Sequence, residues 1–130
     1  TFDNCSFIRC EFNNCKLTGC NFIENVLFDI GFIDSNMSYA NISLSNLRGI
    51  IFNNTSIRSG SLQGNKVKNI NFKEADLMGT QFFKTSLNGI DLSNSNIEQI
   101  AVSLEDIKGA KINQMQAIDL MYLLGVKVVE

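Results

Sequence analysis

Four cysteines stand at residues 5, 10, 15 and 20 of a chain that contains no histidine. Thiolates are the soft ligands zinc prefers, so closely spaced cysteines first suggest a metal centre. Structural zinc sites take their cysteines in paired knuckles, however, whereas these form one uniform series. The same register is filled further along by Ser35, Ala40, Ser45, Thr55 and Gly60, which hold no metal. The series therefore reads as packing, with each thiol acting as a small buried hydrophobe. No disulfide is expected between residues that face inward from successive sides of a turn, and reduced thiols suit a cytoplasmic protein. Catalysis finds no footing either. Serine is abundant, but no imidazole is present to activate it, and no glycine-rich phosphate loop is present. We expect no catalytic residue, no metal and no cofactor.

Composition narrows the class. The 130 residues are 45% hydrophobic and 18% charged, with a net charge of −2 and no proline or tryptophan. This describes a folded chain, not a disordered one. No apolar run is long enough to cross a bilayer as a helix, so no membrane role is expected. The amino terminus shows neither an initiator methionine nor a leader pattern, which reads as a fragment or a processed chain.

The elements that position the cysteines follow from a second series. Every fifth residue from Phe2 to Ile112 is apolar, 23 positions without a polar interruption. At this composition chance would give that roughly once in 10⁸ sequences. The position two residues before each is mostly small, and the other three are mainly polar or glycine. A helix returns a side chain to one face after 3.6 residues and a strand after 2, so neither sustains a period of five. A chain that turns a corner after each short extended segment does. Such a chain coils, stacks its coils at about 4.8 Å, and forms hydrogen bonds between them. Phe12, Phe32, Phe52 and Phe72 recur at intervals of 20, as do Ile30, Ile50, Ile70 and Ile90. Four segments thus close one coil with a square cross-section, and these residues with Leu92 form the expected core ladder. Residues 1–112 make the solenoid, between five and six coils or about 27 Å tall.

The stretches "NISLSNLRGIIF", "NFKEADLMGTQF" and "IDLSNSNI" resemble the A(D/N)LXX pattern of the pentapeptide-repeat family. That resemblance implies an all-β solenoid, the right-handed quadrilateral β-helix. Beyond Ile112 the period stops, and residues 113–130 read as a short helix and tail. Asn113 and Gln116 are spaced as a capping box, and Gly125 is placed to end the helix. Met115, Ile118, Met121, Tyr122 and Leu124 give it more apolar surface than one partner covers, which points to a two-fold dimer contact. The alternative is a tail folded back over it. "EDIKGAKINQMQAIDLMYLLGVKVVE" and "DSNMSYANIS" are similar to the carboxy-terminal part of Qnr-type quinolone-resistance proteins. That similarity implies a homodimer joined through the helix. It also implies a non-enzymatic, DNA-mimicking binder of DNA gyrase or topoisomerase IV that gives protection from quinolones.

The charges are uneven. Residues 1–34 carry a net −3, residues 35–73 contain no acid and five bases, and residues 74–130 carry −4. No side is strongly negative, and the side through Leu27, Leu47 and Val67 carries Arg48, Lys66 and Lys68. Direct nucleic-acid binding is not expected. The other reading is a general interaction scaffold with a protein partner yet to be identified. Its candidate surface comprises the outward residues Ile8, Ile23, Phe28 and Ile33 with Asp34, Glu74 and Asp91.

Overall fold

A chain that turns a corner every five residues needs one residue per segment in the left-handed region, where an L side chain crowds the following carbonyl. The computed structural model describes residues 2–129. In it every fifth residue from Asn4 through Gly89 has positive φ, between 49° and 77°. Asn, Asp and Gly hold most of these corners, as the steric argument requires. Arg9, Glu24, Tyr39, Leu44 and Glu74 hold others, at a cost of about 1–2 kcal/mol each.

Between corners the chain is extended. The strands are β1 (Phe2–Asp3), β2 (Ser6–Asn13), β3 (Asn21–Ile23), β4 (Val26–Ile33), β5 (Asn41–Ser43), β6 (Asn46–Asn53), β7 (Ser61–Gln63) and β8 (Lys66–Lys73). They pair in two parallel sheets, β1-β3-β5-β7 and β2-β4-β6-β8. The register advances by one coil per strand, so Phe12 pairs with Phe32, Phe32 with Phe52, and Phe52 with Phe72. Wall A runs through Phe22, Ile42 and Leu62. Walls B (Leu27, Leu47) and C (Phe32, Phe52, Phe72) share the long strands, which bend at Arg9, Asp29, Gly49 and Asn69. Wall D is built of turns, joined by single bridges from Lys16 through Asn36, Ser56 and Asp76 to Asn96. Its turns close on themselves, as in the 3.0 Å bond from the Ala40 amide to the Met37 carbonyl. Beyond Lys73 the other walls adopt the same form, and bridges from Gln81 to Ala101 and from Asp91 to Lys111 carry the register onward.

The fivefold ladder fills the hollow. Phe32, Phe52, Phe72, Leu92, Ile30, Ile50, Ile70 and Ile90 are buried, and Phe12 is half-buried in the first coil. The wall C rings stack at 5.1–5.2 Å with interplanar angles of 8–12°, close to the coil spacing. The interior column that the sequence marks as small does more than pack. The amide of Cys5 donates to Asn25 Oδ1 at 2.9 Å, that of Asn25 to Ser45 Oγ at 3.1 Å, and that of Ser45 to Asn65 Oδ1 at 3.0 Å. The amide of Asn65 continues the ladder to Thr85 Oγ1 at 3.2 Å. Asn25 and Asn65 return a bond from Nδ2 to the carbonyls of Phe2 and Ile42, each at 2.8 Å. A corner amide that finds no backbone acceptor is thus satisfied by a side chain of the next coil. Left unmade, each such bond would cost about 1–3 kcal/mol.

The cysteines differ from the buried slot expected of them. They occupy one corner each of the first coil, all four free, with Cys10 exposed and the others half-buried. Within residues 2–129 nothing stacks on that face, so the same slot that is dry further down is open there. The Sγ atoms of Cys5, Cys10 and Cys15 turn to the carbonyls of Asp3, Ile8 and Asn13 at 3.3–3.5 Å. A second difference is α1 (Leu104–Ile107), which replaces one segment of the last coil. Ser103 caps it, accepting from the Asp106 amide at 3.2 Å, while Ile107 still packs on the core.

Phe52→Ala removes a ring buried between two others and should cost roughly 3–5 kcal/mol in chemical denaturation. Phe12→Ala, in the half-buried first coil, should cost clearly less. Equal losses would contradict the stacking.

Candidate interaction surfaces

With the interior fully occupied by the ladders, any function must reside on the ends and outer walls. The carboxy-terminal end is built first by capping. Helix α2 (Gln114–Leu120) begins with Asn113 Oδ1 accepting from the Gln116 amide and Gln116 Oε1 accepting from the Asn113 amide, both at 2.9 Å. Gln116 is buried, and its Nε2 donates to the carbonyls of Leu92 and Ser95, each at 2.7 Å. Those carbonyls belong to the last full coil and have no further coil to bond. Asn113 Nδ2 adds a 2.8 Å bond to the Ser93 carbonyl. A 3-10 turn, Met121–Leu124, follows and ends at Gly125 with φ of 72°.

The inner face of this cap is set by Leu120 and Leu123, which pack on the core. Tyr122 lies across the end and donates its hydroxyl to the Ile100 carbonyl. Partial burial, and secondarily the Asp119 charge, hold the Tyr122 hydroxyl above its ordinary pKa. Of the five residues expected at a dimer contact, Met115, Ile118, Tyr122 and Leu124 are exposed and Met121 is half-buried. The tail residues Val126, Val128 and Val129 are exposed too, adding to the apolar surface at this end.

The seven residues expected on a partner surface do not come together. Ile8 and Phe28 stack in register on wall B. Ile23 lies on wall A, and Ile33 and Asp91 lie on wall C. Asp34 and Glu74 line a groove along the corner between walls C and D, with Asn54 and Asp76. Asn54 Nδ2 bonds Asp34 at 2.9 Å, and Asp76 is paired with Arg58 at 3.0 Å. Asp91 accepts from Ser93, which with the more distant Lys111 keeps it below the usual carboxylate range. Away from the tail, five exposed apolar residues were not singled out from the sequence: Tyr39, Leu44, Ile51, Phe83 and Leu104. The fivefold register could have flagged Tyr39 and Leu44, since both occupy the corner position otherwise given to polar residues and glycine.

Parallel coils, a fivefold inward ladder and left-handed corners define a quadrilateral β-solenoid repeat protein. The sequence matches the family described as pentapeptide repeat region over residues 5–82 and the one described as pentapeptide repeats (8 copies) over residues 66–99, and the chain belongs to the pentapeptide-repeat family. Among solved structures it is similar to Rfr23, a pentapeptide repeat protein from the cyanobacterium Cyanothece 51142. The identity is 14%, the TM-score 0.71, and the match covers 86% of each chain. It is also similar to full-length QnrB1, a plasmid-mediated fluoroquinolone resistance protein, at 13% identity and a TM-score of 0.47, covering 95% of this chain and 99% of that one. At such identities the likeness is one of fold. No curated protein matches the sequence.

The tyrosine tether gives the cap a pH signature. A raised folded-state pKa means that the neutral hydroxyl is favoured on folding. Its contribution is complete below the unfolded value of about 10 and is lost as pH rises through the folded value. The stability of the unmodified chain relative to Tyr122→Phe should therefore hold steady up to about pH 10 and fall as pH rises beyond it. A constant difference across that range would mean the hydroxyl is not held at the cap.

Proposed function

We propose that this chain is a non-enzymatic interaction rod that pairs through its carboxy-terminal cap and recognises a protein partner with its outer walls. The observation that carries this reading is the concentration of exposed apolar side chains at one end. Met115, Ile118 and Leu124 are exposed on a cap whose Leu120 and Leu123 already pack on the core, and Tyr122 is exposed as well although its hydroxyl is tied to Ile100. Water-facing apolar area of this kind marks a contact between chains, and a closed two-fold pair buries the same patch twice. Four free thiols support a reducing, cytoplasmic setting. Among the described residues no helix is long and apolar enough to cross a membrane.

A second reading, binding and protection of DNA gyrase or topoisomerase IV, rests on the Qnr-type resemblance and on the carboxylates of the groove between walls C and D. Charge density weighs against it. Duplex DNA presents one negative charge per about 1.7 Å, so a rod of five coils would need about 14 on its facing surface. The groove offers Asp34, Glu74 and Asp76, and the last is neutralised by Arg58. The whole chain has 13 acids against 11 bases. The general interaction rod is therefore the better supported of the two.

Light scattering should find a dimer, and Met121→Asp with Leu124→Asp should make it monomeric. A monomer from the unmutated chain at high concentration would overturn the pairing. In a gyrase supercoiling assay, inhibition by ciprofloxacin should persist when the protein is added. Restored supercoiling would establish the gyrase reading instead.

A further inference from the structure

Wall B carries a cluster of positive charge that the fold does not neutralise. Arg48 and Lys68 are direct partners in the β6–β8 register, and Lys66 lies on the same outer face. All three are exposed. The ion pairs among the described residues are Arg58–Asp76 and Lys108–Glu105, so none of the three takes part in one. Like charges placed directly opposite in a sheet destabilise it. The repeat tolerates any polar residue at an outward position, so nothing in the coil geometry calls for this arrangement. An anionic ligand would relieve it.

Apolar side chains adjoin the cations. The Arg48 guanidinium lies over the Phe28 ring, 5.9 Å from its centre, within cation–π range. At the corner between walls A and B, Leu44 is 62% exposed although its backbone has φ of 54°. It leans on Gly64, where an added Cβ would lie only 2.9 Å from Leu44 Cδ2, so the glycine makes room for it. Leu44, Val26 and Lys66 line one shallow groove along that corner. The acids at the wall's two corners, Glu24 and Asp29, both belong to the second coil. They would repel a continuous polyanion or an anionic bilayer laid along the wall. A chain whose carboxylates meet the lower coils keeps its charge away from both, and sets only its uncharged apolar group on Leu44 and Val26, in the groove that Glu24 also lines.

We propose that wall B binds an acidic protein segment that carries an apolar anchor, its carboxylates on Arg48, Lys66 and Lys68 and its anchor on Leu44 and Val26. The proposal rests on the interaction-rod reading and assigns that rod one wall and one class of partner.

The test is fluorescence anisotropy with the full chain and four probes: a labelled glutamate-rich peptide with one central leucine, an all-glutamate peptide of equal length, a short duplex DNA, and phosphatidylserine vesicles. The leucine-bearing peptide should bind most tightly and weaken about tenfold in Arg48→Glu with Lys68→Glu, and again when salt is raised to about 0.5 M. Leu44→Ser should lower its affinity to that of the all-glutamate peptide. As a control on folding, Lys68→Glu alone should raise the melting temperature by about 1–4 °C, since it converts a repulsive pair into an attractive one. Peptide binding untouched by the charge reversals would overturn the assignment to wall B while leaving the rod reading standing. Tighter binding to DNA or vesicles, or no peptide binding at all, would overturn the choice of partner. A monomeric chain in light scattering would instead count against the pairing and leave the assignment of wall B standing.

Discussion

One left-handed residue in every five is the constraint on which the molecule depends. It bends an extended chain into a corner, and four such corners return the backbone to a point one strand-spacing below its start. Only then can the amides of one coil meet the carbonyls of the next, as when Asn14 donates to the Ile33 carbonyl at 2.9 Å. Those inter-coil bonds offset the strain of placing Arg9, Tyr39 or Leu44 where glycine would sit more easily. The strain is local and repeated, and the compensation is shared along the stack, which is how solenoids cohere through nearest-neighbour contacts.

The same geometry divides the residues by role. Two of every five point inward, and they are consumed by the apolar ladder and by the polar ladder that Asn25, Ser45, Asn65 and Thr85 complete. The outward residues between the corners carry little folding duty, so their chemistry reports on what the rod meets. On this molecule they sort by place: apolar at the carboxy-terminal cap, acidic at the corner of walls C and D, basic beside Phe28 and Leu44 on wall B. A rod with three different surfaces is better suited to assembling proteins than to imitating the uniform charge of a duplex.

Much of the fold was legible because a period of five has no helical or simple strand solution, and because Phe12, Phe32, Phe52 and Phe72 mark the coil length. The capping box at Asn113 and Gln116 and the stop at Gly125 were legible from local spacing. The polar ladder was not. Asn25 and Asn65 look like irregularities in a column of small residues, since their bonds reach a coil that lies 20 residues away in sequence. Helix α1 was hidden by Ile107, which keeps the fivefold register while its neighbours turn helical. The cysteines were read by their column and not by their coil, so their exposure in the first coil was missed. The surface candidates scattered because outward residues adjacent in sequence face different walls. One corner, at Glu24, lies between Ile23 and Phe28, and another, at Asp29, between Phe28 and Ile33.

The claim beneath all of this is that one turn consumes 20 residues and that the inward positions stack like on like, as Leu27 on Leu47, Ile30 on Ile50 and Phe32 on Phe52. Excising residues 41–60, one whole coil, tests it most directly. The shortened chain should rejoin Ala40 to Ser61 in register and melt cooperatively, while an excision two residues shorter should abolish cooperative melting. If both excisions melt alike, or if only the shorter one folds, the coil length and the ladders built on it are wrong.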